Sequence, residues 1–326
     1  MRDPWAELLQ GCYGYGAGMI TVETAVRAWV QPTTTGSTRR NSGKRAYRKA
    51  AFDDRVLVFD TETTTDFALR LQFGIFRLYV AGLLEREGIF YGDSASDREL
   101  EIIRSYGRKH EITVISRAEF VEKVFFHYVY GLGALCVGFN LPFDLSRIAI
   151  RAGIGRGQNR RKFRLTLTAK TLTYSAIHIE AISGRAAFIG FAKRNNLADW
   201  EKPYFKGRFL DLSTLATALT GERFSLKRAA ITFKTDHKKS ETSTLGIVTP
   251  ETIDYGRNDV FVTWELFEKL RDEYALYPFA TMANERSQPI HSKPVTRIYS
   301  TASVAKATLV MMGFVGQVPD DNGETP

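Results

Sequence analysis

The stretch that most constrains this chain is Arg55–Asp66, RVLVFDTETTTD. Val56, Leu57, Val58 and Phe59 form an apolar, largely β-branched and aromatic run, so a buried strand is the expected element. Asp60 and Glu62 stand at its exit. The period-two alternation of a strand puts both carboxylates on the same side of the pleat. Acids held this close repel unless a cation lies between them. Hard divalent ions such as Mg2+ or Mn2+ prefer oxygen ligands. The stretch therefore predicts a core strand whose end carries a candidate metal site. A second D-x-E, Asp97 and Glu99 in SASDREL, follows polar residues and opens a helical pattern; it reads as a solvated first turn.

Around this strand the pattern predicts an α/β fold. FGIFRLYVAGLL and GIFYGD read as two further strands joined by a polar turn at Glu85–Gly88. GALCVGFN is another buried strand, with a helix starting near Asp144 (DLSRIAIRAG), and GRFLDL returns to strand character. DRELEIIRSYGRK and SRAEFVEKVFFHYVYG have helical spacing, the latter with Phe120, Val124 and Tyr128 on one face. LSTLATALTG, FSLKRAAITFK and TPETIDYGRNDVFVTWELFEKLRDEY follow as helices, the last opened by Thr249-Pro250-Glu251. Strands that come first and then mix with helices predict a sheet covered by helices on both faces.

Two regions depart from this texture. Residues 1–50 read as an appendage, a short amphipathic segment followed by a flexible basic linker, QPTTTGSTRRNSGKRAYRKA. Residues from about 155 to 206 are basic and alternating (KFRLTLTAKTLTYSAIHIEAI), which predicts a basic β-hairpin insertion. Its Arg156, Arg160, Arg161, Lys162 and Arg164 predict salt-sensitive binding to a polyanion. Net charge points the same way: 45 basic against 36 acidic residues leave +9, which favours nucleic-acid partners. No apolar run approaches the roughly 18 residues of a membrane span, so no membrane partner is expected. Two cysteines without C-x-x-C spacing and no secretory signal point to a cytoplasmic setting.

A pair of acids does not hold two ions, so further carboxylates should converge on it. VGFNLPFD offers Asp144 just beyond an apolar strand, and DYGRNDV offers Asp259 on a helix, with Tyr255 one turn earlier on the same face. D-x-E after a strand, then N-x-x-F-D, then Y-x-x-x-D, in that order, resembles the DEDD 3′–5′ exonucleases of the RNase H-like (DnaQ-like) superfamily. Asp254 stands where the histidine subtype carries its histidine, whereas Tyr255 fits the tyrosine (DEDDy) subtype. FNLPFD, YGRND and SLKRAAITFK resemble the proofreading domains of family B DNA polymerases, above all the protein-primed branch. The resemblance covers about residues 55–275.

What it implies is an RNase H-like mixed sheet, three antiparallel strands plus parallel ones, flanked by helices. The exonuclease domain would span 51–275, and 276–326 resembles a truncated entry to a polymerase region. Neither SLYPS nor DTD occurs, so no polymerase activity is expected. The chain would be a proofreading fragment of a DNA polymerase, with that domain in cis or in trans, or a free-standing nuclease.

The implied activity is hydrolysis of single-stranded or frayed DNA 3′ ends by two divalent cations. Asp60 would bridge the ions, Glu62 and Asp259 would complete one, and Asp144 would hold the other, partly through water. Tyr255 would orient the attacking water, since a tyrosine with pKa near 10 is a poor base at neutral pH. Thr63 and Asn140 would hydrogen-bond the terminal nucleotide. Phe143 either stacks on a terminal base or packs in the core. Lys227 either neutralises phosphate or is a solvated helix lysine.

Two alternatives stay open: a non-catalytic nucleic-acid-binding module of a replication assembly, and an RNA-directed exonuclease of the same fold. Other motifs carry less. Ser303-Val304-Ala305-Lys306 lacks the companion tripeptides of serine penicillin-recognising enzymes and reads as an ordinary helix. The histidines (His110, His127, His178, His237, His291) show no metal-binding spacing.

Overall fold

Strand β1, Arg55–Thr63, is the pivot of a six-stranded mixed sheet. It pairs antiparallel with β2 (Leu71–Val80), which pairs antiparallel with β3 (Leu83–Tyr91). On its other side β1 runs parallel to β5 (Leu135–Gly138), and β5 runs parallel to β10 (Arg208–Asp211). A short strand β4 (Thr113–Ser116) lies parallel to β3, giving the order β10-β5-β1-β2-β3-β4. The computed structural model describes residues 55–155, 159–182, 186–192, 208–240, 246–281 and 293–311, all within one compact unit, Thr38–Met312. The expected appendage at 1–50 lies outside the described residues.

Alternation along β1 sorts the core into two layers. Val56 and Val58 face one way, into a cluster with Ile253, Val260, Leu266 and Leu270 of helix α6 (Pro250–Ala275). Helices α1 (Asp97–Lys109), α4 (Leu212–Thr220) and α5 (Leu226–Thr232) cover the same face. Leu57 and Phe59 face the other way, against Phe120, Val124 and Phe125 of α2. Helix α2 begins as Arg117–Glu119 and continues as Phe120–Gly131 with wider, i to i+5 bonding. That winding buries Phe120, Val121, Val124, Phe125, Phe126 and Val129, a broader apolar stripe than an α-helical face supplies, and leaves Tyr128 half-buried.

Three sequence expectations shift. The β2–β3 turn falls at Ala81–Gly82, both at positive φ, and Glu85–Gly88 lie inside β3; Arg77 and Glu87 face each other across the ladder and hold that register. The helix after β5 is α3, Leu141–Arg147, three residues earlier than expected at its start. It stops because Arg151–Ile154 form strand β6, paired with β7 (Phe163–Thr166). The insertion is thus a four-stranded antiparallel sheet, completed by β8 (Ile177–Ala181) and β9 (Ala187–Phe191). Leu165, Ile177 and Ile179 on its inner face pack into the α2 layer.

Beyond α6 a short parallel pair, β11 (Ala280–Thr281) and β12 (Lys293–Pro294), leads to helix α7 (Thr301–Met311). Val295, Ile298 and Ala307 join the α6-side core. Ser303 is spent on hydrogen bonds at the start of α7, and Lys306 is exposed. Glu99 closes a capping box with Ser96 at the start of α1. Among the described residues no helix is long and apolar enough to cross a membrane.

Candidate metal centre

Carboxylates from three elements meet where the parallel strands β1 and β5 end. Asp60 and Glu62 lie on the α6 side of β1, and α6 brings Asp259 over them. One carboxylate oxygen from each of these three lies within 4.8 Å of the others. Gly256 helps α6 come close: a Cβ there would stand 3.4 Å from the Glu62 Oε1.

Asp144 arrives from α3 across the end of β5 and is 2% exposed. Thr61, which alternation turns to the opposite face from Asp60, donates its hydroxyl to Asp144 Oδ1 at 2.7 Å. The Asp144 carboxyl interacts with that of Asp60, so Asp144 lies beside the three-acid cluster but outside the set of oxygens that converge within 4.8 Å.

Electrostatics in this cluster are unresolved by the protein's own groups. Burial, followed by the Asp259 charge, pushes the Asp60 carboxyl up to about 7. Burial, then Asp60 and Asp259, pushes Glu62 up to about 8. Burial and then Asp60 raise Asp144. Burial also raises Asp259, against the opposing pull of Lys239, whose ammonium contacts Asp259 Oδ2. Asp144 Oδ2 and Asp259 Oδ1 are buried with no hydrogen-bond partner. A buried carboxylate oxygen without a donor is costly. A hard divalent cation among Asp60, Glu62 and Asp259 would satisfy the orphaned Asp259 oxygen and lower the raised pKa of these three acids, so this donor set fits one.

Tyr255 lies one turn before Asp259 and interacts through its hydroxyl with both Asp259 and Lys239. The Lys239 ammonium sits 4.8 Å from the Tyr255 ring centre. Burial raises the Tyr255 pKa, so the hydroxyl keeps its proton and donates. Asp254 is turned away, accepting a hydrogen bond from Tyr106.

The other expected residues fall around this centre. Thr63 is half-buried at the end of β1, beyond a register shift at Glu62/Thr63. Asn140 is exposed with a left-handed backbone (φ 72°), and its side chain does not cap α3. Asp211, at the end of β10, takes the backbone N–H groups of Asn140 and Leu141 instead, at 2.7 and 2.9 Å. Phe143 is half-buried, belongs to neither core cluster, and lies under the Arg147 guanidinium at 4.9 Å. Lys227 is exposed on α5, and among the described residues it is Lys239 that contacts Asp259.

Sequence reasoning passed over Lys239, Thr61 and Asp211. Lys239 sits in the polar stretch DHKKS, whose lack of periodicity marks no single residue. Asp211 carried a visible signal: like Asp60, it ends an apolar strand, and D-L-S-T is an N-cap pattern that the structure uses at α4.

No family model and no curated protein matches the chain.

Proposed function

We propose that the chain is a divalent-metal-dependent 3′–5′ exonuclease acting on single-stranded or frayed DNA ends. The observation that carries this is the meeting of Asp60, Glu62 and Asp259, with Asp144 against Asp60 on the other side, next to a protonated tyrosine and a lysine; Asp144 and Asp259 each keep one buried oxygen without a donor. The run β3-β2-β1-β5-β10, antiparallel through β1 and parallel beyond it, supports an RNase H-like core.

Asp60, Glu62 and Asp259 would hold one cation, and Asp60 with Asp144 a second. When bound, the ions neutralise a phosphodiester and lower the pKa of water. The remaining work falls to the protein. Tyr255 donates a hydrogen bond and orients the attacking water. Lys239 opposes the upward pull of burial on Asp259 and offers a positive charge to the phosphate. Asn140, exposed and unused as a cap, hydrogen-bonds the terminal nucleotide together with Thr63. Phe143, outside both core clusters, offers its ring for base stacking.

The test is a 5′-labelled single-stranded DNA incubated with Mg2+ or Mn2+. The expected products are a ladder shortened from the 3′ end and nucleoside monophosphates, lost in Asp60→Asn. Absence of shortening with both metals, or equal activity in Asp60→Asn, overturns the enzyme reading in favour of a non-catalytic binding module. A matched RNA strand cleaved faster than the DNA would move the substrate class to RNA.

A further inference from the structure

The outer face of the insertion sheet holds a groove of about 660 Å³ that the carboxylate centre does not use. Register places Gly153, Arg164, His178 and Gly190 in one row across β6, β7, β8 and β9. Arg151 and Thr166 pair two residues further along, on the same face. A Cβ at Gly153 or Gly190 would meet nothing within 4 Å, so the floor on either side of Arg164 and His178 is open. Tyr174, Ser175 and Asn159 complete the walls, and Tyr174 is held by stacking on Phe126 at 4.2 Å.

The charge in this groove is one-sided. Arg151 and Arg164 are exposed, and among the described residues neither has an acidic partner and no carboxylate lines the groove. By contrast, the neighbouring Lys162 pairs with Glu180 and Lys170 with Glu122. Two unpaired guanidiniums call for an anion, and Arg is the side chain suited to phosphate. They sit as diagonal neighbours on adjacent strands, roughly 7–8 Å apart at the backbone. That separation suits consecutive phosphates of an extended strand rather than one. Burial, together with Arg164 and Lys162, lowers the His178 pKa, which leaves a neutral ring at neutral pH. A neutral imidazole beside a tyrosine offers bases a stacking surface without reading their edges.

We infer that this groove is a second binding site, for single-stranded nucleic acid, with phosphates on Arg151 and Arg164 and a base against His178 and Tyr174. It goes beyond the carboxylate chemistry and is independent of it.

Fluorescence anisotropy of a labelled oligothymidylate in EDTA tests the site without hydrolysis, so a failed nuclease assay leaves the result readable. Arg151→Ala/Arg164→Ala should weaken binding about tenfold or more and reduce the salt slope by roughly 1.4, at about 0.7 per phosphate for a single strand. His178→Ala should weaken binding roughly fivefold and His178→Phe should restore it, because stacking tolerates any aromatic ring. The inference is overturned if the double arginine variant keeps wild-type affinity and slope. It is equally overturned if thymidine monophosphate or polyglutamate competes as well as the oligonucleotide at equal phosphate or carboxylate concentration.

Discussion

Asp60 is ionised at a cost, because it is buried beside Asp259, and Lys239 offsets only part of the repulsion. Asp60→Asn keeps the shape and removes the charge. Metal-dependent strand shortening should drop by more than about a hundredfold, the scale on which loss of one preorganised electrostatic group impairs an active site. The same variant should melt higher than wild type at pH 8 in EDTA, since the repulsion is gone. A melting temperature at or below wild type there would show that the acids do not repel as described. Lys239→Ala separates binding from turnover. Removing a positive charge from beside Asp259 should tighten Mn2+ binding in a calorimetric titration, whereas turnover should fall with the loss of the phosphate-facing cation. Weaker Mn2+ binding in that variant would mean that Lys239 acts by holding Asp259 in place.

Helix α6 carries both Tyr255 and Asp259, so its seat on the sheet decides the geometry of the centre. That seat is electrostatic as well as apolar. Glu87 of β3 binds Arg77 of β2 through Nε at 3.0 Å and Nη2 at 2.7 Å, and binds Arg257 of α6 at 2.8 and 2.9 Å. Arg77 is 0% exposed, and Tyr79 stacks on Trp264 at 3.6 Å alongside. Glu87→Gln would leave two guanidiniums at the sheet–helix junction without a counter-charge, one of them fully buried. Urea denaturation should register a loss of about 3–5 kcal/mol, the range for breaking a buried pair from one side. A loss under about 1 kcal/mol would mean that water already shares the site. The β2–β3 turn makes a gentler case. Ala81 at φ 50° holds a left-handed conformation that Asn tolerates better than Ala, so Ala81→Asn should stabilise by up to about 1 kcal/mol.

Across the whole molecule two titrations oppose each other. The Arg77 and Arg257 contacts hold Glu87 below its usual 4.5 despite its burial, so its contribution is present above that value and is lost as pH falls further. The cluster acids behave in reverse. Asp60 rises from 3.8 to about 7 and Glu62 from 4.5 to about 8, so the folded state keeps protons that the unfolded chain has released. Stability therefore declines as pH climbs from about 4 to about 8. In EDTA the melting temperature should peak near pH 5 and fall toward pH 8. Mn2+ should flatten the alkaline limb, because it binds the ionised folded state and not the unfolded chain. Identical profiles with and without Mn2+ would remove the cation from the centre.

How much of this was legible in the sequence differs by feature. The strand at Val56–Phe59, the two-faced layering it imposes and the long helix opened by Thr249 and Pro250 all follow from local pattern. So does the placement of Asp60 and Glu62 on one face, because strand alternation is a property of the backbone itself. The turn at Ala81–Gly82 was hidden, since its residues lie inside an apolar run and only the pairing of Arg77 with Glu87 discloses the register. Lys239 beside Asp259, Thr61 bonded to Asp144, and the row of Arg164 and His178 between open glycines are contacts between distant segments. By itself the sequence determined which acids stand at a strand's end and which helix would carry the last one. Only the tertiary structure decided which lysine answers them and which arginines go unanswered, because charge pairing depends on distances of a few ångströms between segments far apart in the chain, and local pattern does not encode those distances.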